Sequence, residues 1–94
     1  MKFDWDEEKN RSNIEKHGID FREAQDVFLS PRLSVEDTRQ DYGEKRIITI
    51  GSVGTSVCVV VFTRREETTR IISARKANER GRKRYYERIE KPET

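Results

Sequence analysis

The sequence predicts an α+β domain, and three observations carry that expectation. Two capped helical segments precede residue 31, four strand-forming stretches follow, and the last stretch of chain repeats apolar or small residues every fourth position. Asp4 or Asp6 can cap the first helix, with Glu7 and Glu8 in the turn where acidic side chains suit the helix dipole. That helix runs to about His17, and Gly18 supplies a C-terminal residue able to take a positive φ. Asp20-Phe21-Arg22-Glu23 has the spacing of a capping box and opens a second short helix. Ala24, Val27 and Phe28 share one face of it, and Ser30-Pro31 ends it.

Leu33 to Glu36 alternates weakly, and Asp41-Tyr42-Gly43 marks the turn after it. Arg46 to Ile50 is the second strand, and residues Gly51 to Gly54 turn the chain into the third, Val57 to Arg64. The continuous β-branched run of that third strand predicts a central position covered on both faces. Arg65-Glu66-Glu67-Thr68 leads to the fourth strand, Arg70 to Ser73. Connections this short cannot make parallel crossovers, so a four-stranded antiparallel sheet is expected. A basic C-terminal helix over about Lys76 to Ile89 completes the domain. Ala77, Gly81, Tyr85 and Ile89 form its inward stripe, and Gly81 suggests close packing there.

Composition bounds the function classes. The chain has 94 residues, room for one domain with a modest core; the expected boundaries are a single domain over 1–90 and a short tail over 91–94. Charged residues reach 40%, well above the ~25% of ordinary soluble domains. The longest apolar run, Val57 to Phe62, is far short of the ~20 residues that span a membrane. An acidic start, where a signal peptide would be apolar, makes the cytoplasm the expected location. One Cys and one His build neither an internal disulfide nor a zinc site, and no metal or cofactor is expected.

The net charge of +2 hides an asymmetry. Residues 1–46 carry nine basic and twelve acidic side chains, whereas residues 47–94 carry eleven basic and six acidic ones. Between Arg64 and Arg88, ten of twenty-five residues are basic, eight of them Arg, the better side chain for bidentate phosphate contact. A polyanion-binding surface and an ordinary solvated helix face explain this equally well on charge alone.

Phe3-Asp4-Trp5-Asp6, Lys9, Asn13 and Lys16-His17-Gly18-Ile19-Asp20-Phe21 together resemble the opening of the BrnT family of bacterial toxins. Gly43-Glu44-Lys45-Arg46, Thr63-Arg64 and the run from Arg70 to Ala77 resemble the rest, so the resemblance covers Phe3 to about Tyr86. It implies a type II toxin with a RelE-like ribonuclease fold and an RNA substrate whose cleavage arrests translation and growth; no membrane partner is expected, because the apolar runs are too short. It also implies a co-encoded DNA-binding antitoxin, held with the toxin in a hetero-oligomer.

Metal-independent endoribonuclease chemistry needs a base for the 2′-OH, cations for the phosphorane oxygens and an acid for the leaving 5′ oxygen. His is the side chain that titrates near neutrality, and the one present is His17, although a His in a last helical turn also suits the helix dipole. Arg46 and Arg64 sit at adjoining ends of neighbouring strands and are expected to hold the phosphate. Arg75 enters as a further catalytic contact through the resemblance, because strand order brings Arg70 rather than Arg75 close to Arg64. Lys16, Arg70, Arg80, Arg84 and Tyr86 are the expected RNA-binding residues, Tyr86 through base stacking. Each has a plainer reading as a solvated charge, a surface ion pair or a packing ring. Tyr85 falls on the inward stripe, Cys58 reads as a buried small hydrophobe, and the N-terminal acids read as helix caps rather than metal ligands. The alternative to an enzyme is a non-catalytic nucleic-acid-binding module using the basic helix, and a third reading is an adaptor for an acidic partner.

Overall fold

The computed structural model describes residues 1–90, so the tail expected over 91–94 lies outside the described residues. The element order is β1 (Lys2–Asp4), α1 (Glu7–His17), α2 (Phe21–Ala24) with a 3₁₀ turn (Gln25–Leu29), β2 (Arg32–Glu36), β3 (Arg46–Val53), β4 (Ser56–Arg65), β5 (Thr68–Lys76), α3 (Glu79–Tyr85) and a π turn (Tyr86–Glu90). The five strands form one sheet in the order β1-β5-β4-β3-β2.

The α+β class is as expected, but the sheet is mixed and has five strands rather than four antiparallel ones. β2 to β5 form the antiparallel meander that the short connections require. β1 adds a parallel strand beside β5, with Lys2, Phe3 and Asp4 opposite Thr68, Thr69 and Arg70. Its connection to β5 runs through every element between them, so the short-connection argument never applied to it. β4 occupies the middle of the sheet, as its β-branched run predicts.

Caps set the helix bounds. The Asp6 carboxylate accepts from the backbone N–H groups of Glu8 and Lys9, and Gly18 closes α1 at φ 72°. Asp20 caps α2 by accepting from the Arg22 N–H. The expected helix from Lys76 is corrected at its start. Residues up to Lys76 extend β5 along β4, and the Asn78 side chain accepts from the Gly81 N–H to begin α3. The expected turn over 51–54 is also shorter, because β3 continues to Val53 and only Gly54-Thr55 turn the chain into β4.

Strand alternation divides the apolar residues between two faces. On one face, Cys58, Val60, Ile71 and Ala74 pack beneath Ile19, Phe21, Ala24 and Val27 from the N-terminal helices. Phe3, Phe28 and Phe62 extend this layer, with ring centroids 5.4 Å and 5.0 Å apart. On the other face, Val57, Ala77 and Tyr85 form a smaller cluster under α3, flanked by Ile50, Val59 and Ile89. The predicted inward stripe of the third helix is therefore the packed one.

Candidate functional site

The second face is only half covered. α3 lies over Val57, and the rest of that face opens as a trough of about 390 Å³. Its floor is aliphatic, from Leu33 and Val35 on β2, Ile48 and Ile50 on β3 and Val59 on β4. Arg75 from β5 and Arg80 and Arg84 from α3 stand along it. Register places Arg75 opposite Val59, pointing it to this face, and Arg80 and Arg84 are one helical turn apart. All three are exposed. The Arg75 guanidinium donates to the Lys76 carbonyl at 3.3 Å, and among the described residues no carboxylate pairs with any of the three.

The other expected site residues are distributed elsewhere. Arg46 and Arg64 do adjoin along the backbone, since Arg46 is opposite Thr63. That same register sends their side chains to opposite faces, because Arg64 is the residue next to Thr63. Arg64 lines a shallow hollow with Ser34, Lys45, Ile47 and Phe62. Arg46 belongs to the face of Ile48 and Ile50, half-buried, its guanidinium 4.0 Å from the Tyr42 ring centroid. His17 and Lys16 share a third hollow, between α1 and β5, with Lys9, Ser12, Asn13, Ile72 and Ser73. None of the three catalytic-candidate arginines lines it. Arg70 pairs with Asp4 at 3.2 Å across the β1–β5 ladder. Tyr86 is 44% exposed just past α3, its ring 5.6 Å from that of Tyr85.

The fold also builds a network that the sequence pattern does not announce. Asp37 is buried directly after β2 and accepts two bonds from the Arg39 guanidinium, both 2.8 Å, and one from the Tyr42 hydroxyl at 2.9 Å. The Arg39 hydrogen bond, more than any other contact, holds the Asp37 carboxyl far below the usual carboxylate range. Tyr42 thus carries a fixed ring on which Arg46 stacks, and the Arg46 Nε is buried without a hydrogen-bond partner. Glu44, 3.8 Å from that Nε, bonds Arg65 at 3.2 Å instead. Asp41-Tyr42-Gly43 signals a turn and nothing more; an aromatic five residues from an acid was the available signal.

Cys58 is buried in the larger core, and burial pushes its thiol pKa up, as befits a packing residue rather than a nucleophile. Among the described residues, no three His, Cys, Asp or Glu side chains gather to hold a metal ion. No helix among them is long and apolar enough to cross a membrane.

Comparison with known families matches residues 5–81 to the model of BrnT, the ribonuclease toxin of a type II toxin–antitoxin system. Among curated proteins, none matches the sequence.

Proposed function

The chain belongs to the BrnT family of type II toxin–antitoxin ribonucleases, and from that premise we propose that it cuts RNA on the half-covered face of its sheet, with Arg75, Arg80 and Arg84 as the phosphate-binding group. The observation that carries this reading is the convergence of those three arginines, exposed and without a carboxylate partner, on one concavity. An arginine fork matches two phosphate oxygens at once and stays charged, so it stabilises the negative charge that builds as the phosphorane forms. The nucleophile is the substrate's own 2′-OH. Its oxygen attacks the adjacent phosphorus as its proton passes to solvent water, the P–O5′ bond breaks, the leaving 5′ oxygen takes a proton from solvent, and the products carry a 2′,3′-cyclic phosphate and a 5′-OH. In this reading water serves as base and acid, and the chain contributes positioning and fixed charge without a metal-bound water.

Arg46 lies on the same face and extends the positive track beyond Ile48, with Tyr42 fixing its plane. Tyr86 offers an exposed ring next to α3 for a stacked base. Arg64, His17 and Lys16 sit in other hollows and are secondary contacts in this reading. The toxin acts in the cytoplasm, where its RNA is, and its antitoxin is a DNA-binding protein encoded beside it.

The test is cleavage of end-labelled RNA by the purified chain in EDTA, with the product ends mapped. Cleavage is expected to persist in EDTA and to leave 5′-OH ends. The double variant Arg80→Ala/Arg84→Ala is expected to cut about a hundredfold more slowly or worse, the usual cost of removing charge-stabilising donors, at an unchanged unfolding midpoint. Parent-like cleavage by that variant sinks the site. So does a result in which only His17→Ala and Arg64→Ala abolish cutting. RNA binding without new ends returns the chain to the non-catalytic reading.

A further inference from the structure

The two edges of the sheet are finished differently. β1 ends one of them with three residues, whereas β2 runs Arg32-Leu33-Ser34-Val35-Glu36 along the other. The Asp37 N–H donates to the Arg46 carbonyl at 2.8 Å, which fixes the phase of the β2–β3 ladder. Leu33 and Val35, in step with Asp37, turn their backbone groups toward β3, so Arg32, Ser34 and Glu36 turn theirs outward. Among the described residues, no other backbone group bonds those outward N–H and C=O groups. Exposed edges are commonly blunted by Pro, Lys or a bulge. β2 has neither Pro nor Lys, and its register with β3 runs without a shift.

The order of side chains along β2 is complementary to its own reverse. A second β2 running antiparallel, with Ser34 opposite its own copy, sets Arg32 of each chain opposite Glu36 of the other and Leu33 opposite Val35. This is the antiparallel register that pairs all five residues, and its hydrogen-bonded positions are the three whose backbone groups face outward. Alternation places the Arg32–Glu36 pairs on the helix-covered face and the Leu33–Val35 pairs on the trough face, at the positions where side chains approach most closely. The side chains stand ready for it. Arg32 lies 4.9 Å from the Phe28 ring centroid and pairs with no carboxylate among the described residues. The Glu36 side chain is 48% exposed, with Lys45 no nearer than 3.9 Å, and Val35 is 63% exposed. The arginines over the trough do not oppose the pairing. With the dyad perpendicular to the sheet both troughs face the same way, and α3 sits over Val57 of β4. The two β4 strands would lie five strand spacings apart, about 24 Å, roughly three Debye lengths at physiological salt.

We infer that β2 is a self-association edge, along which two copies of this chain pair antiparallel about Ser34 and join their sheets into one. This pairing is independent of which residues bind RNA. A single five-residue edge is small for a protein interface, so the dimer is reversible and depends on concentration.

The test is sedimentation equilibrium of the purified full chain, alone, across a concentration series. The parent is expected to show a monomer–dimer equilibrium. Glu36→Arg sets cation against cation at both symmetric positions, Arg32→Glu sets anion against anion, and circular dichroism melting checks that each folds. Each variant by itself is expected to dimerise at least about tenfold more weakly, from attraction lost and repulsion added in both cross-strand pairs. An equimolar mixture of the two variants places opposite charges at both positions again and is expected to form a heterodimer close to the parent's strength. Mixing two chains whose edges are merely damaged gives no such rescue. Glu36 is exposed, so Glu36→Arg alone decides the matter should Arg32→Glu lose its fold with the Phe28 contact. A parent chain that stays monomeric at millimolar concentration overturns the inference. So does a folded Glu36→Arg that dimerises at parent strength, because another surface then holds the dimer. A mixture of folded variants no tighter than its components overturns it too, since the strands then do not meet about Ser34.

Discussion

The two faces of the sheet use alternate residues of the same strands, yet they are finished differently. On the helix-covered face, Thr49, Gly51, Cys58, Val60, Phe62, Ile71 and Ala74 are all buried. Their immediate neighbours Ile48, Ile50, Val59 and Val61 on the other face are only half-buried. Propensity cannot account for this, since both sets are rich in β-branched residues. Cover accounts for it. The first face receives every helix before β2, and the second receives only the seven-residue α3. One face therefore stabilises the fold, while the other keeps uncovered apolar surface beside unpaired positive charge. Stability and recognition are separated by the period-two alternation of single strands.

On this division, the largest stability losses belong to the covered face. Asn13 is the most sensitive point there. β1 closes the outer edge of β5 only as far as Arg70, and beyond it the Asn13 side chain takes over. Its Oδ1 accepts from the Ala74 N–H at 3.1 Å, and its Nδ2 donates to the Ala74 carbonyl at 2.8 Å and the Ile19 carbonyl at 2.9 Å. Asn13→Ala leaves three buried backbone groups without partners, at ~1–3 kcal/mol for each group left unsatisfied. The expected loss is about 3 kcal/mol or more, read as a lower urea midpoint. A loss below about 1 kcal/mol shows that water enters this face as freely as the other.

Next in size is Gly51→Ala, also on the covered face. A Cβ there would lie 2.8 Å from Cγ2 of the fully buried Val27 and 3.2 Å from the Arg32 Cβ. Val27 is enclosed by the helical layer, so the clash has to be relieved by moving the 3₁₀ turn. Overpacking of this kind costs about 2 kcal/mol, measurable by the same urea titration. A neutral outcome would mean that the turn is loosely seated.

What the sequence discloses follows the same division. Asp6, Gly18 and Asp20 act through neighbours in the chain, so the helix ends they set are legible in the order of residues alone. The Ala77-Gly81-Tyr85-Ile89 stripe is likewise local, and only its start differs, because backbone pairing with β4 holds Arg75 and Lys76 in the strand. β1 is not legible in the same way. Lys2-Phe3-Asp4 is three residues long, and its partner in β5 is more than sixty residues away. Buried Asn10 and Asn13 sit on a charged helix whose polar positions look solvated, and their partners lie in α2 and β5. The candidate site suffers most, because each arginine's face depends on register. Arg46 and Arg64 adjoin in the ladder yet diverge in space, while Arg75, Arg80 and Arg84 converge across a strand-to-helix junction. A one-residue slip would exchange those outcomes.

The smallest expected effect is the sharpest probe of the open face. Gly81 lies in α3, where a Cβ would stand 3.3 Å from the Ile50 Cδ1, 3.3 Å from the Asn78 Oδ1 and 3.4 Å from the Ala77 Cβ. These contacts are tight, as at Gly51, but the nearest apolar atom is a terminal methyl whose side chain borders the trough. Ile50 can give by a few tenths of an ångström toward open space, a freedom Val27 lacks. Replacing Gly by Ala within a helix returns about 1 kcal/mol of propensity, offset in part by the shift of the Asn78 cap. Gly81→Ala is therefore expected to raise stability slightly, by about 0.5 kcal/mol. A loss of more than about 1 kcal/mol would show that the trough floor is as rigid as the covered core. The half-finished face would then be a fixed surface, and its occupant would have to match it without adjustment of Ile50.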